Sequence, residues 1–221
     1  MFDRCKPVRH LFIAVPAYTG QVSTETAAAI VAAVSVLIPA GVRITTKFRN
    51  GNCYLDEARN QLVADFLESD ATDLLFWDAD VGCLPETVLK LCLVTRPIVA
   101  AIYPKKSDAP EWPVQFFPGE RWTDAEGLLP VKMMPTGLMR INRGVFEAMN
   151  PPRYADPKGR VLGAYFRCDV REYYFGEDVE FCRVWREMGG TLRILPEATL
   201  CHWGMKSWIG NIGEAMAGGA A

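Results

Sequence analysis

The sequence predicts an α/β protein with a mixed, mostly parallel central sheet flanked by helices. Three observations predict it. Buried-strand and amphipathic-helix patterns alternate over the first hundred residues, as successive βαβ units require. The third apolar run, Leu74-Leu75-Phe76-Trp77, leads into two carboxylates, Asp78 and Asp80, just past the strand end where open sheets hold ligands. After Pro104 the pattern breaks into short, proline-punctuated runs that suit antiparallel strands and loops better than helices.

Taken in order, His10 to Pro16 is the first buried strand, and Pro16-Ala17-Tyr18-Thr19-Gly20 is the loop leaving its C-terminal end. Ser23 or Thr24, followed by Glu25, opens an alanine-rich helix to about Ile38, where Pro39 and Gly41 stop it. Val42 to Phe48 is the second strand, and Asn50-Gly51-Asn52 is turn chemistry. Leu55 to Glu68 places Leu55, Ala58, Leu62, Val63, Phe66 and Leu67 on one helical face, with Arg59 and Asn60 within reach of the sheet edge. The third strand follows, then Pro85 at a first helical position, a helix from Glu86 to about Val94, and a fourth strand from Pro97 to Tyr103. Connections of this type are right-handed.

Six prolines fall between residues 104 and 135. Beyond them Gly137 to Asn142 reads as a strand and Arg143 to Met149 as a short helix stopped by Pro151-Pro152, while 155–168 looks loop-rich. Gly176 precedes a helix from Glu177 to Met188, ended by Gly189-Gly190, and Thr191 to Leu195 and Ala198 to His202 are short strands. Gly204 to Ala221 shows no hydrophobic period, and its end is expected to be mobile. No repeat or linker interrupts 1–221, so one domain is expected, with two halves meeting near residue 104.

The 221 residues are 50% hydrophobic and 23% charged, a globular balance that excludes wholesale disorder. A formal net charge of -2 offers no general attraction to polyanions, which leaves nucleic acid unadvertised as a substrate. Seven cysteines form an odd set without a C-x-x-C pair, which speaks against a zinc site or a disulfide framework and for a reducing cytoplasm. The longest apolar segment, Ala27 to Val42, contains Ser35, Pro39 and Gly41 and falls short of the roughly 20 residues of a membrane span. No membrane span and no signal peptide are expected.

Two carboxylates spaced D-x-D at a strand end point different ways. One can hold a hard divalent cation while the other contacts a ribose or a metal-bound water. Acids in this position also cap turns and helix starts, so the pair alone decides little.

The pair has company. W-D-A-D-V-G, M-P-T-G-L-M-R-I-N-R-G-V-F-E, Y-Y-F-G-E-D-V-E-F-C and C-H-W-G, in that order, resemble a small glycosyltransferase of the GT-A fold, the Rossmann-like fold of nucleotide-diphospho-sugar transferases. The likeness is to the broad family 2 group, of the small viral, phage or bacterial type, and covers roughly residues 10 to 204. It implies that Asp80 binds a divalent metal, Mn2+ or Mg2+, which holds the diphosphate of a nucleotide sugar. Asp78 would contact the ribose or a metal-bound water, with Ala79 between the two acids at the donor. His202 would complete the metal site, making Asp78, Asp80 and His202 the candidate metal set.

The same resemblance makes Asp178 the base that deprotonates the acceptor hydroxyl in an inverting reaction, with Glu177 beside it. Both also stand in a helix's first turn, where negative charge is favoured without any catalysis. Pro16, Ala17 and Tyr18 would hold the nucleotide base, Arg59 the base or a phosphate, Thr136 and Gly137 the sugar and acceptor pocket, and Trp203 and Trp208 would close over the donor. Lys105 and Lys106 would assist the diphosphate or order a loop, although a solvated basic pair is the more ordinary reading.

The implied partners are a nucleoside-diphosphate sugar and a hydroxyl acceptor: a glycan, a protein or a hydroxylated base in phage DNA. Residues 1–104 would bind the donor and 105–204 the acceptor, in the cytoplasm, or the host cytoplasm for a viral chain. A sugar nucleotidyltransferase is the enzymatic rival, but it calls for a Gly-rich basic loop after the first strand, which Pro16 to Gly20 is not. A nucleotide- or glycan-binding module without turnover is the other rival.

Overall fold

The computed structural model describes residues 4–109, 111–119, 122–204 and 206–218. The first half alternates as β1 (His10–Ala17), α1 (Thr24–Leu37), β2 (Arg43–Asn50), α2 (Leu55–Glu68), β3 (Asp73–Trp77), β4 (Val81–Cys83), α3 (Pro85–Leu93) and β5 (Ile98–Ala100). The second half contributes β6 (Gln115–Phe116), β7 (Leu129–Met133), β8 (Leu138–Asn142), α4 (Arg143–Ala148), β9 (Arg153–Ala155), β10 (Val161–Gly163), β11 (Asp169–Val170) and β12 (Tyr174–Phe175). It closes with α5 (Glu177–Glu187), β13 (Arg193–Ile194), β14 (Thr199–Trp203), β15 (Ser207–Asn211) and α6 (Ile212–Ala217).

Local chemistry explains where the helices begin. The Ser23 hydroxyl accepts from the Thr26 amide at 3.0 Å and caps α1, and Pro85 opens α3, where its missing N–H costs nothing. The Asn142 carboxamide caps α4 by accepting from the Gly144 amide.

The main sheet has the order β2-β1-β3-β8-β5-β13-β7-β6. β1 is parallel to β2 and β3, and β13 is parallel to β5, while β8 runs antiparallel between β3 and β5 and β7 runs antiparallel to β13. The sheet is therefore mixed, because β8 from the second half inserts at its centre. Every residue of β3 is buried: Leu74 and Phe76 face one apolar layer, and Leu75 and Trp77 the other. At the start of β3, Asp73 and Arg140 form a fully buried ion pair of 2.7 Å that fixes β3 against β8.

Three features depart from the sequence reading. Val81–Cys83 forms a strand of its own, too short to carry a pattern, and pairs with β14 in a second sheet ordered β15-β14-β4. The stretch expected to be loop-rich contains β10 and the last residue of β9, which pair as a hairpin. Within the tail, Ser207–Asn211 forms a strand and Ile212–Ala217 a helix, so this part has regular structure in spite of lacking a period. Its order is dictated by β14 alongside and by the Asn211 side chain, which accepts from the Glu214 amide at 3.1 Å. Residues 219–221, where mobility was expected, lie outside the described residues.

Ile212 is fully buried in the core, so Ile212→Ala is expected to cost about 2–5 kcal/mol. Urea unfolding would show it, and a change below about 0.5 kcal/mol, the range of surface substitutions, would mean that the tail does not support the core.

Candidate functional site

The site lies beyond the C-terminal ends of β1, β3 and β5. Asp78 is the first residue past β3, and its amide donates to the Gly137 carbonyl at 2.8 Å, which ties the D-x-D turn to the entrance of β8. Gly137 is required here by contact. A Cβ would stand 2.4 Å from Tyr103 Cε1 and 2.7 Å from Asp78 Oδ2, both far inside van der Waals range. Thr136, the other residue expected in a sugar pocket, is buried behind it.

Arg59 is the hub of the first half-site. Only 2% exposed, it donates through Nη2 to Asp78 Oδ1 at 3.1 Å and through Nη1 to Glu177 Oε1, with its guanidinium 5.7 Å from the Phe76 ring centre. Both terminal nitrogens are thus spent on carboxylates, where the resemblance pointed to a base or phosphate contact. Burial disfavours the Arg59 charge, but Asp78 and Glu177 overcome it and hold its pKa above the usual value. Burial also pushes Asp78 and Glu177 upward, against the pull of Arg59, with Asp80 adding to the first and Asp178 to the second.

An aromatic column sets the spacing between the two acidic elements. Phe76 of β3 meets Phe166 edge-on at 5.2 Å, and Phe166 stacks on Phe181 of α5 at 4.5 Å. Asn60 clamps Phe166 from the neighbouring position on α2, donating to its carbonyl at 2.7 Å and accepting from its amide at 2.9 Å. Helix α5 is fixed further by fully buried Phe181, Cys182 and Trp185. Glu180, also buried, is held below the ordinary carboxylate range, first by its Arg183 hydrogen bond and then by the charges of Arg183, Arg167 and Arg171.

On this support Asp178 occupies the first turn of α5, half-buried, with Oδ1 accepting from the Val179 amide at 2.8 Å. Its charge reaches Arg59, Glu177 and Tyr103, so it belongs to the same site as Asp78.

The second half-site depends on the register of β14 against β4. His202 sits opposite Val81, and the Trp203 amide donates to the Asp80 carbonyl at 2.8 Å. His202 Nε2 is thereby 3.6 Å from Asp80 Oδ2, while Nδ1 lies 2.9 Å from the Pro104 carbonyl. A carbonyl only accepts, so Nδ1 carries a hydrogen, and Nε2 is the ring nitrogen turned toward Asp80. The Tyr103 ring meets the imidazole edge-on at 4.6 Å and fixes its plane. Lys106 Nζ is 2.6 Å from the same Asp80 oxygen. Burial raises the Asp80 carboxyl, but the hydrogen bonds and charges of His202 and Lys106 outweigh it and leave it below its usual value.

This arrangement fits a divalent cation. Two atoms of ligand type, Asp80 Oδ2 and His202 Nε2, face each other across a gap, and the Pro104 carbonyl and the Tyr103 ring orient the histidine. Around them four carboxylates, Asp78, Asp80, Glu177 and Asp178, outnumber the cations Arg59 and Lys106. Among the described residues no cluster of three or more His, Cys, Asp or Glu side chains forms a self-sufficient metal cage, so a cation here would need oxygens from a ligand or water.

A cleft of about 440 Å³ opens above the pair, lined by Pro16, Thr19, Gln21, Ser23 and Leu55 with the Asp78-Ala79-Asp80 turn as its floor. Of the loop expected to meet a nucleotide, Pro16 lines this cleft, Ala17 is buried in the β1–β2 ladder, and Tyr18 is 61% exposed outside the lining. Thr19, Gln21 and Ser23 went unnoticed in the sequence; their signal was position alone, between a buried strand and a helix cap. The Trp203 indole faces a separate apolar groove of about 490 Å³ beside Ala29, Leu84 and Ile209, and Trp208 lines a third hollow with Trp112 and Lys206.

The α/β fold, a mixed central sheet flanked by helices, matches that of GT-A glycosyltransferase structures. In structure the chain is similar to A197 from STIV, with a TM-score of 0.54 at 16% identity over 93% of this chain and 91% of that one. It is also similar to GalNAc-T7, solved with UDP, GalNAc and Mn2+, with a TM-score of 0.55 at 12% identity over 89% of this chain and 44% of that one. This chain thus spans less than half the length of GalNAc-T7. No protein family and no curated protein matches the sequence. Among the described residues no helix is long and apolar enough to cross a membrane, and all seven cysteines are free thiols.

Proposed function

We propose that this chain is a metal-dependent, inverting glycosyltransferase that moves a sugar from a nucleoside-diphosphate donor to an acceptor hydroxyl. The observation that carries the reading is the β4–β14 register, which brings His202 Nε2 to 3.6 Å from Asp80 Oδ2 at the floor of the cleft. GalNAc-T7, solved with UDP, GalNAc and Mn2+, supports a donor of this class.

In this reading Asp80 and His202 hold Mn2+ or Mg2+, and the cation supplies charge stabilisation to the departing diphosphate. Pro16 with Thr19, Gln21 and Ser23 of the cleft wall receives the nucleoside, and Asp78 and Ala79 meet the ribose side of the donor. Arg59 positions Asp78 and Glu177 rather than binding phosphate. Asp178, its Oδ1 held by the Val179 amide, takes the acceptor proton as the hydroxyl attacks the sugar carbon on the face opposite the leaving group. Thr136 and Gly137 shape the sugar pocket, and Trp203 braces the turn through its amide. Residues 1–104 form the donor half and 105–204 the acceptor half of one domain, working in a reducing cytoplasm on a glycan, protein or hydroxylated DNA base.

The test is a panel of UDP-, GDP- and dTDP-sugars scored for Mn2+-dependent binding and slow hydrolysis, with Asp80→Ala as control. The variant is expected to lose Mn2+-dependent nucleotide affinity by more than the roughly 10–100-fold typical of outer partners of metal ligands. Unchanged Mn2+-dependent affinity in Asp80→Ala would refute the metal assignment.

A further inference from the structure

Lys106 lies in the segment that leaves β5, and its ammonium rests on Asp80 Oδ2, the oxygen that faces His202 Nε2. It therefore neutralises the atom that the proposed cation site needs. An ammonium and a divalent ion on one oxygen repel strongly at such short range, and partial burial weakens the screening between them. One must leave when the other arrives.

The segment is built to let Lys106 go. Its root is firm, since Tyr103 is packed beneath Gly137 and the Pro104 carbonyl holds His202 Nδ1 at 2.9 Å. Beyond the root the side-chain ties among the described residues include the exposed ion pairs of Lys105 with Glu111 and Asp108 with Lys206, a kind of contact that contributes little in water, and the exposed Ser107 hydroxyl donating to the Ala109 carbonyl. Residues 105–109 form no helix or strand. Lys106 can thus swing away from Asp80 while His202 stays oriented.

We propose that Lys106 is a resident counter-cation for Asp80, which a divalent ion displaces and which then pairs with the donor diphosphate, so that cation entry and the release of Lys106 toward the diphosphate are one exchange. The proposal rests on the metal-dependent reading above. It accounts for a lysine seated on a metal ligand: before the cation binds it offsets the excess of carboxylates, and afterwards it adds positive charge where the diphosphate leaves.

Calorimetry with Mn2+ alone, and then with UDP and GDP at saturating Mn2+, tests it on the full chain, Lys106→Met, Lys106→Arg and Asp80→Ala. Coupling between sites commonly amounts to 5–150-fold. Lys106→Met is expected to bind Mn2+ alone about tenfold more tightly and the nucleotide about tenfold more weakly, with Lys106→Arg returning toward the parent on both counts. Equal or weaker Mn2+ affinity in Lys106→Met would overturn the exchange, and unchanged nucleotide affinity would overturn the transfer to diphosphate. Either result leaves the metal site standing. Asp80→Ala binding Mn2+ and nucleotide as the parent does would instead overturn the reading on which the proposal rests.

Discussion

Asp178→Asn is expected to lower the turnover of sugar transfer by about 10²–10⁴-fold, the usual contribution of a positioned general base. Affinities for Mn2+ and nucleotide should stay within about twofold, because Asp178 touches neither Asp80 nor His202 among the described contacts. The amide keeps the size of the side chain, and its oxygen can still accept from the Val179 amide, so α5 should keep its first turn. What it loses is the ability to take a proton. Single-turnover transfer measured beside nucleotide binding separates these effects. Near-normal turnover would remove Asp178 from the base role and leave Glu177 or a water to be tested. A parallel loss of nucleotide affinity would mean that the helix start had moved.

Arg59→Met should act mainly on stability, and strongly. It leaves Asp78 and Glu177 largely buried without their shared cation, a loss on the order of 3–5 kcal/mol for a broken buried pair. The pH dependence identifies the cause. Burial already raises both carboxyls in the folded state, and removing Arg59 raises them further above their unfolded values. The folded variant then holds more protons than the unfolded chain, so its stability grows as pH falls through the raised folded pKa values. The deficit should be largest at neutral pH and shrink toward the ordinary carboxylate range near about pH 4. Urea unfolding of both proteins between pH 5 and 8 measures this, both ends being experimental settings chosen around that range. A deficit constant across the range would show that Arg59 matters only for the packing of its stem.

Most of the first hundred residues were legible because β1, β3 and β5 are buried on both faces and the helices on one, so pattern and burial coincide, while the edge strand β2 is largely exposed. The turn Asp78-Ala79-Asp80 could be found because two acids directly follow a wholly apolar run. His202 was found by its place in C-H-W-G, but its approach to Asp80 depends on β4, three residues too short to show a period. For Arg59 the sequence shows only a helical arginine within reach of the sheet edge, and the folded arrangement adds the two carboxylates that converge on it. Phe166 carries no signal, since a loop aromatic becomes a spacer only when Phe76 and Phe181 arrive on either side. The order of 207–217 was hidden because its partner strand, and not its own composition, supplies the pattern.

The pairing of β4 with β14 also dictates when the site comes into being. The contact of His202 with the Pro104 carbonyl spans 98 positions, and the strand ladder beside it reaches back further, to Val81. Such long closures form slowly, and chains emerge from the ribosome N-terminus first. A growing chain can thus assemble β1, β2 and β3, with the cleft floor among them, well before the histidine has been synthesised. Until β14 docks, the acids stand without their imidazole. In the metal-dependent reading proposed above, the ability to grip a cation arrives only with β14, near the end of the polypeptide, and would mark completed folding.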